Sequence, residues 1–211
     1  MKLIKKGLLD TWQGLPSFGL QHEGIPPGGA MDTFSLQIAN ALVGNDVYDK
    51  VLEMHFPAGV YQFETSTLLA ICGADFRACV DNVEVPLNQP IKVPPGAIFS
   101  CKKPVSGQRV YVATRTLHDE QVSRVKILPW SMNPENVFTE EPIRILCGRE
   151  WDQIKACSQQ LVLSKSFAIS PTSNRMGYQL IQEPLKTLAS QNLLSSAVTA
   201  GTIQLLPSGQ L

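Results

Sequence analysis

Charge is scarce in this 211-residue sequence: 17% of its residues are Asp, Glu, Lys or Arg, and Lys+Arg 18 against Asp+Glu 18 leaves no formal net charge. Without a basic excess there is no field to neutralise a phosphate backbone, so nucleic acid is not an expected partner. Long apolar runs are missing too. None approaches the ~20 residues that cross a bilayer, and Met1-Lys2-Leu3-Ile4-Lys5-Lys6-Gly7-Leu8-Leu9-Asp10 carries lysines without the apolar stretch of a signal peptide. No membrane partner is expected, and the expected location is cytoplasmic. Histidine is limited to the scattered His22, His55 and His118, so no metal site is expected. The cysteines, Cys72, Cys79, Cys101, Cys147 and Cys157, are odd in number and contain no CxxC pair. They read as buried, reduced thiols. No GxGxxG or P-loop pattern argues for phosphate cradling by this chain alone, and no GxSxG elbow argues for a serine hydrolase.

What is present is a core. Hydrophobic residues make up 44% of the chain, and a charge fraction below the about 25% usual for soluble domains suggests a surface that another protein covers. Short apolar or alternating runs at Gly59 to Glu64, Thr67 to Cys72, Arg77 to Val80, Ala97 to Cys101 and Arg109 to Thr114 are separated by Pro86, Pro90, Pro94-Pro95-Gly96, Pro104 and Gly107. This is the pattern of a mainly β fold, a barrel or sandwich with few short helices. One helix is well marked: Asp32 as N-cap, Phe34, Ile38, Ala41 and Leu42 at helical spacing, and a stop at Gly44-Asn45. The polar stretch 115–141 reads as a linker between lobes 1–114 and 142–211. In the second lobe, strands are expected at Ile143 to Cys147, Phe167 to Ile169, Tyr178 to Ile181 and Thr202 to Leu206. A helix is expected to carry Trp151, Ile154, Cys157 and Leu161 on one face.

Three loops hold residues with chemical potential. His22-Glu23-Gly24-Ile25-Pro26-Pro27-Gly28-Gly29-Ala30-Met31-Asp32 delivers a Gly-rich backbone to a helix N-terminus, which favours anions, although Asp32 itself repels them and serves equally as a cap. Gly73-Ala74-Asp75 puts an acid at a strand end. Ser170-Pro171-Thr172-Ser173-Asn174-Arg175-Met176-Gly177-Tyr178 gathers hydroxyls, an amide and a guanidinium able to grip a carboxylate. In Val51-Leu52-Glu53-Met54-His55-Phe56, alternation sends Glu53 and His55 to one face, an arrangement that suits a general base but reads more simply as a surface pair.

Gly28-Gly29-Ala30-Met31-Asp32, Ala39-Asn40-Ala41-Leu42-Val43-Gly44-Asn45, Val51-Leu52-Glu53, Cys72-Gly73-Ala74-Asp75, Gly107-Gln108-Arg109-Val110-Tyr111-Val112-Ala113, Ser173-Asn174-Arg175-Met176-Gly177-Tyr178 and Ala200-Gly201-Thr202-Ile203-Gln204 together resemble the biotin-dependent carboxyltransferase family, also called allophanate hydrolase subunit 2 or the C-type subunit of 5-oxoprolinase. The resemblance implies tandem cyclophilin-like β-barrel lobes and a smaller partner subunit of the same superfamily, like the B-type subunit of 5-oxoprolinase or allophanate hydrolase subunit 1. It also implies action on a small carboxylate or amide as part of an ATP-dependent 5-oxoprolinase-type amide hydrolase. ATP is expected to bind in the assembled complex, not clearly to this chain. Biotin enters only under the alternative of a urea carboxylase-like carboxyltransferase module, and the chain has no Met-Lys-Met biotinylation motif of its own.

On this resemblance the catalytic candidates are Asp32, Asp75 and Arg175. Asp32 and Asp75 would orient or polarise the amide, and Arg175 would bind a carboxylate or carbonyl oxygen with Ser173 and Asn174. Met31, Gly73, Ala74 and Gly177 complete the substrate-binding set. The chain departs from the family pattern at Gly14-Leu15-Pro16-Ser17, where an Asp and a Gly-Arg are expected. It also lacks a Gly-rich insertion after Ala113 and stops at Leu211 before a final apolar strand. The second lobe is therefore expected to be truncated. A catalytically inactive regulatory or binding module that docks the smaller subunit is the alternative function.

Overall fold

The computed structural model describes residues 1–127, 131–133, 143–170, 173, 177–188, 198–199 and 201–211. The chain divides into two compact units, Met1–Thr139 and Glu140–Leu211. The fold is mainly β. The first unit contains β1 (Lys2–Lys5), β2 (Asp10–Gln13), α1 (Thr33–Val43), β3 (Val51–Met54), β4 (Val60–Gln62), β5 (Thr67–Asp75), β6 (Ala78–Val80), β7 (Val83–Glu84), β8 (Ile91–Val93), β9 (Ile98–Cys101), β10 (Ser106–Thr116) and α2 (Asp119–Val122). Its strands form two five-stranded antiparallel sheets, ordered β1-β4-β9-β6-β7 and β2-β3-β10-β5-β8. No helix among the described residues is long and apolar enough to cross a membrane.

The second sheet is covered on both faces, and for that reason β5 and β10 read as nearly continuous apolar runs. Leu52 and Met54 of β3, Leu69 and Ile71 of β5, and Val110 and Val112 of β10 pack toward the first sheet, where Tyr61, Phe63, Ala78 and Phe99 meet them. The alternate residues, Val51, Leu68, Ala70, Cys72, Tyr111 and Ala113, pack beneath Leu36, Ala39 and Val43 of α1. This helix begins and ends where its capping residues require. Asp32 has extended backbone and accepts from the Ser35 N–H, and Gly44 takes the left-handed conformation at φ 74°. The described part of the expected linker extends this unit: Leu117 is buried, and Val122, Val125 and Ile127 pack against the helix-side core.

The second unit departs from expectation in several places. The single helix expected from Trp151 to Leu161 is broken into a 3₁₀ turn, Trp151–Gln153, and α3, Ala156–Ser164. Ile154 between them is extended and bridges Thr187, while the Lys155 N–H donates to the Lys186 carbonyl, so a long-range pairing overrides local periodicity. β11 (Ala168–Ile169) and β12 (Leu180–Ile181) pair antiparallel within the expected strand regions. Ile143 to Cys147 forms no strand, with Ile143 91% and Leu146 97% exposed. Neither does Thr202 to Leu206, which leads instead into a turn closed by the Gly209 N–H on the Leu206 carbonyl. A strand needs a neighbour to satisfy its backbone, and among the described residues neither run has one.

Cysteine burial also differs from expectation. Cys72 and Cys79 are buried and Cys101 partly so, but Cys147 and Cys157 are exposed, on the uncovered run and in the first turn of α3. Burial pushes the Cys72 and Cys101 thiols up to about 12, so both stay protonated and unreactive near neutrality. Titration of the native chain with a thiol reagent at about pH 8 should therefore show two fast equivalents, Cys147 and Cys157. The other thiols should appear only on unfolding.

Candidate functional site

Glu53 organises the chemistry of the first unit. Alternation along β3 places it with Val51 on the α1 side of the sheet, and it is 0% exposed rather than half of a surface pair with His55. A buried carboxylate is tolerated only when paired and hydrogen-bonded. Oε2 accepts from the Met31 N–H at 3.0 Å and from the Tyr111 hydroxyl at 2.9 Å. Oε1 lies 3.6 Å from Arg109 Nε. Register creates the Tyr111 contact, since Tyr111 and Glu53 are direct cross-strand partners on β10 and β3. The Tyr111 hydroxyl in turn accepts from the Asp32 N–H at 2.8 Å. Burial, followed by the Glu53 charge, raises the Tyr111 pKa, so the phenol remains a neutral donor.

Beside this cluster the β5–β10 ladder bulges. Ser106 pairs with Asp75 and Val110 with Gly73, leaving 107–109 opposite Ala74 alone. Gly73 is exposed at φ 87°, and a Cβ there would lie 2.6 Å from the Arg109 carbonyl and 3.0 Å from the Tyr111 ring. Only glycine lets the strand lie so close. Bulges re-aim side chains next to sites, and Arg109 leaves this one within ion-pair distance of Glu53. Its side chain is 13% exposed, and its buried Nε has no hydrogen-bond partner among the described residues.

The structure thus brings together Met31, Asp32 and Gly73 from the expected site. Asp32 is committed to its helix: Oδ1 accepts from the Ser35 N–H and Oδ2 from the Ser35 hydroxyl. Ala74 is buried opposite the bulge, and Asp75 is half-buried, with Oδ1 accepting from the Arg77 N–H at 2.8 Å. Ser173 and Gly177 belong to the other unit. The Ser173 hydroxyl donates to the Gln179 carbonyl and accepts the Gln179 N–H, and Gly177 is exposed. Asn174 and Arg175 lie outside the described residues.

Tyr111 and Arg109 were not among the expected site residues. Their signal was a single Arg two positions from a Tyr in the otherwise apolar run Val110-Tyr111-Val112-Ala113, which puts both on one face. The segment Gly14 to Ser17, where an acid and an Arg were expected, is bound to the Gly-rich loop. The Ala30 N–H donates to the Gly14 carbonyl and the Ser17 N–H to the Pro27 carbonyl, each at 2.9 Å.

The family described as carboxyltransferase domain, subdomain A and B, matches residues 23–125 and 118–211. The C-type subunit of 5-oxoprolinase from Escherichia coli (strain K12) is 29% identical over 240 residues, an alignment covering 100% of this chain and 77% of that protein. Urea amidolyase of Saccharomyces cerevisiae is 35% identical over 97 residues, covering 46% of this chain and 5% of that one. Among solved structures, Kluyveromyces lactis urea carboxylase has the same fold over 90% of this chain and 21% of its own, with a TM-score of 0.70 at 21% identity.

The cluster makes Tyr111 a structural test. Tyr111→Phe keeps the ring but removes a partner from both Glu53 Oε2 and the Asp32 N–H. The expected loss is about 1–3 kcal/mol of stability, measured by urea denaturation.

Proposed function

The chain belongs to the carboxyltransferase domain family, subdomains A and B, and we propose that it serves as a subunit of an ATP-dependent 5-oxoprolinase-type amide hydrolase. The observation that carries this reading is the extent of the likeness: the alignment with the E. coli 5-oxoprolinase protein takes in 100% of this chain, against 46% for yeast urea amidolyase. A protein named as one subunit of an enzyme works with others. The partner proposed here is the smaller subunit of the same superfamily.

Opening the ring amide of 5-oxoproline to glutamate requires a polarised carbonyl, a fixed carboxylate and delivered water. Asp75 is proposed to orient the amide. Arg175, with Ser173 and Asn174, is proposed to bind a carboxylate or carbonyl oxygen, and Met31, Gly73, Ala74 and Gly177 are proposed to touch the substrate. Asp32, bonded through both oxygens to Ser35, acts by holding the Met31–Asp32 turn in place. The start of α1 does not fit a nucleotide phosphate. Its Met31, Asp32 and Ser35 N–H groups already donate to Glu53, Tyr111 and Asp32. ATP is proposed to bind in the assembled complex, and this chain's residues are proposed to hold the organic substrate.

A second reading, a docking module without catalysis, is favoured by the Gly14 to Ser17 segment, which brings hydrogen-bonded backbone to the loop where an acid and an Arg were expected. The local identity with urea amidolyase favours carboxyl transfer from biotin.

One experiment separates these readings. The chain is mixed with candidate smaller subunits, and glutamate release from 5-oxoproline is followed with and without ATP. Release that depends on both ATP and the partner is the expected result, and Arg175→Ala should lower kcat by at least about 100-fold. Co-purification without turnover in any combination would replace the hydrolase by the docking module. Biotin-dependent carboxylation of urea in place of glutamate release would replace it by the carboxyltransferase.

A further inference from the structure

We propose that Arg109 is the receptor for the carboxylate of a small ligand, and that Glu53 positions it for that role. A guanidinium keeps its proton at any accessible pH, so Arg109 is a cation wherever it lies. With its side chain 13% exposed, that charge is largely withdrawn from water and requires a counter-charge. Glu53 supplies only part of one. The approach of Oε1 to Nε, 3.6 Å, is longer than a hydrogen bond, and Nε is left without an acceptor. The charge of Glu53 is shared with other donors. Oε2 takes the Met31 N–H and the Tyr111 hydroxyl, and the residues that present them adjoin the positive end of α1. The cation is thus less fully compensated than the anion.

The geometry of the guanidinium favours a carboxylate. Its five donors lie in a planar fork, and an Nε edge turned toward Glu53 leaves the terminal N–H pair to meet two carboxylate oxygens in parallel. The bulge opposite Ala74 carries Arg109 at the exposed start of β10, beside the exposed Gly73. The choice of 5-oxoproline as the ligand rests on the function proposed above.

The test is titration of the full chain with 5-oxoproline by calorimetry or NMR, beside 2-pyrrolidinone, which has the same ring without the carboxylate, and inorganic phosphate. Binding of 5-oxoproline at least about tenfold tighter than either comparison is expected. Arg109→Gln should remove it, and Arg109→Lys should weaken it, because an ammonium cannot form the paired bonds. Glu53→Gln keeps the shape but not the charge. It should weaken 5-oxoproline binding and shift the Arg109 Nε–H resonance, a signature that a packing role alone would not change. Equal binding of 2-pyrrolidinone or phosphate, no binding of 5-oxoproline, or unchanged affinity in a folded Arg109→Lys chain would overturn the proposal. The two proposals fail separately. Arg109-dependent binding without turnover in any assembled complex retires the hydrolase and keeps the site, and ATP-dependent turnover unaffected by Arg109→Gln does the reverse.

Discussion

A carboxylate that cannot reach water governs the first unit. Glu53 sits on an inner strand of a sheet covered on both faces, where leaving it unpaired would cost several kcal/mol. Its partners include the Met31 N–H from the Gly-rich loop and, two residues apart on β10, the Tyr111 hydroxyl and Arg109 at the edge of a bulge. Satisfying one side chain therefore fixes where the loop enters α1 and how β10 is aligned on β3. The apolar stripe of Leu36, Ala39 and Val43 then holds the helix down over the same sheet. Hydrophobic burial supplies most of the stability, and the carboxylate ties the loop and β10 to the register that the strands adopt.

The features legible in the sequence were those whose causes are local. Asp32 and Gly44 bracket α1 because a cap and a left-handed stop are properties of single residues beside a periodic stripe. β5 and β10 were visible as apolar runs because both their faces are buried. Glu53 was misread for the complementary reason. Alternation placed it opposite Leu52 and Met54, yet whether that other face meets water depends on a helix earlier in the chain folding back over it. The second unit shows the same limit in reverse. Ile154 sits in a run with helical spacing, but its bridge to Thr187 draws it into extended backbone. Ile143 to Cys147 has strand composition and no described neighbour to pair with.

The site was legible in its backbone and hidden in its charges. Met31 and Gly73 stood out because glycine-rich turns and strand ends announce close approaches, and the structure uses both for contact with the Glu53–Tyr111 pair. Arg109 and Tyr111 lay inside a stretch that read simply as a strand. Their role follows from cross-strand register and from three residues bulging against one, neither of which a linear pattern displays.

The start of α1 shows why recognition in this unit passes to a side chain. A helix N-terminus offers free N–H groups to an anion only while they remain free. Here Asp32 caps its own helix through Ser35, and the two N–H groups before the first turn donate to Glu53 and Tyr111. The dipole is spent on protein carboxylates. An anion bound in this neighbourhood is better held by a cation, and Arg109 lies within ion-pair distance of Glu53. β3 and Val110 to Ala113 of β10 are buried, so the strand positions that present Glu53 and Tyr111 are fixed before anything binds.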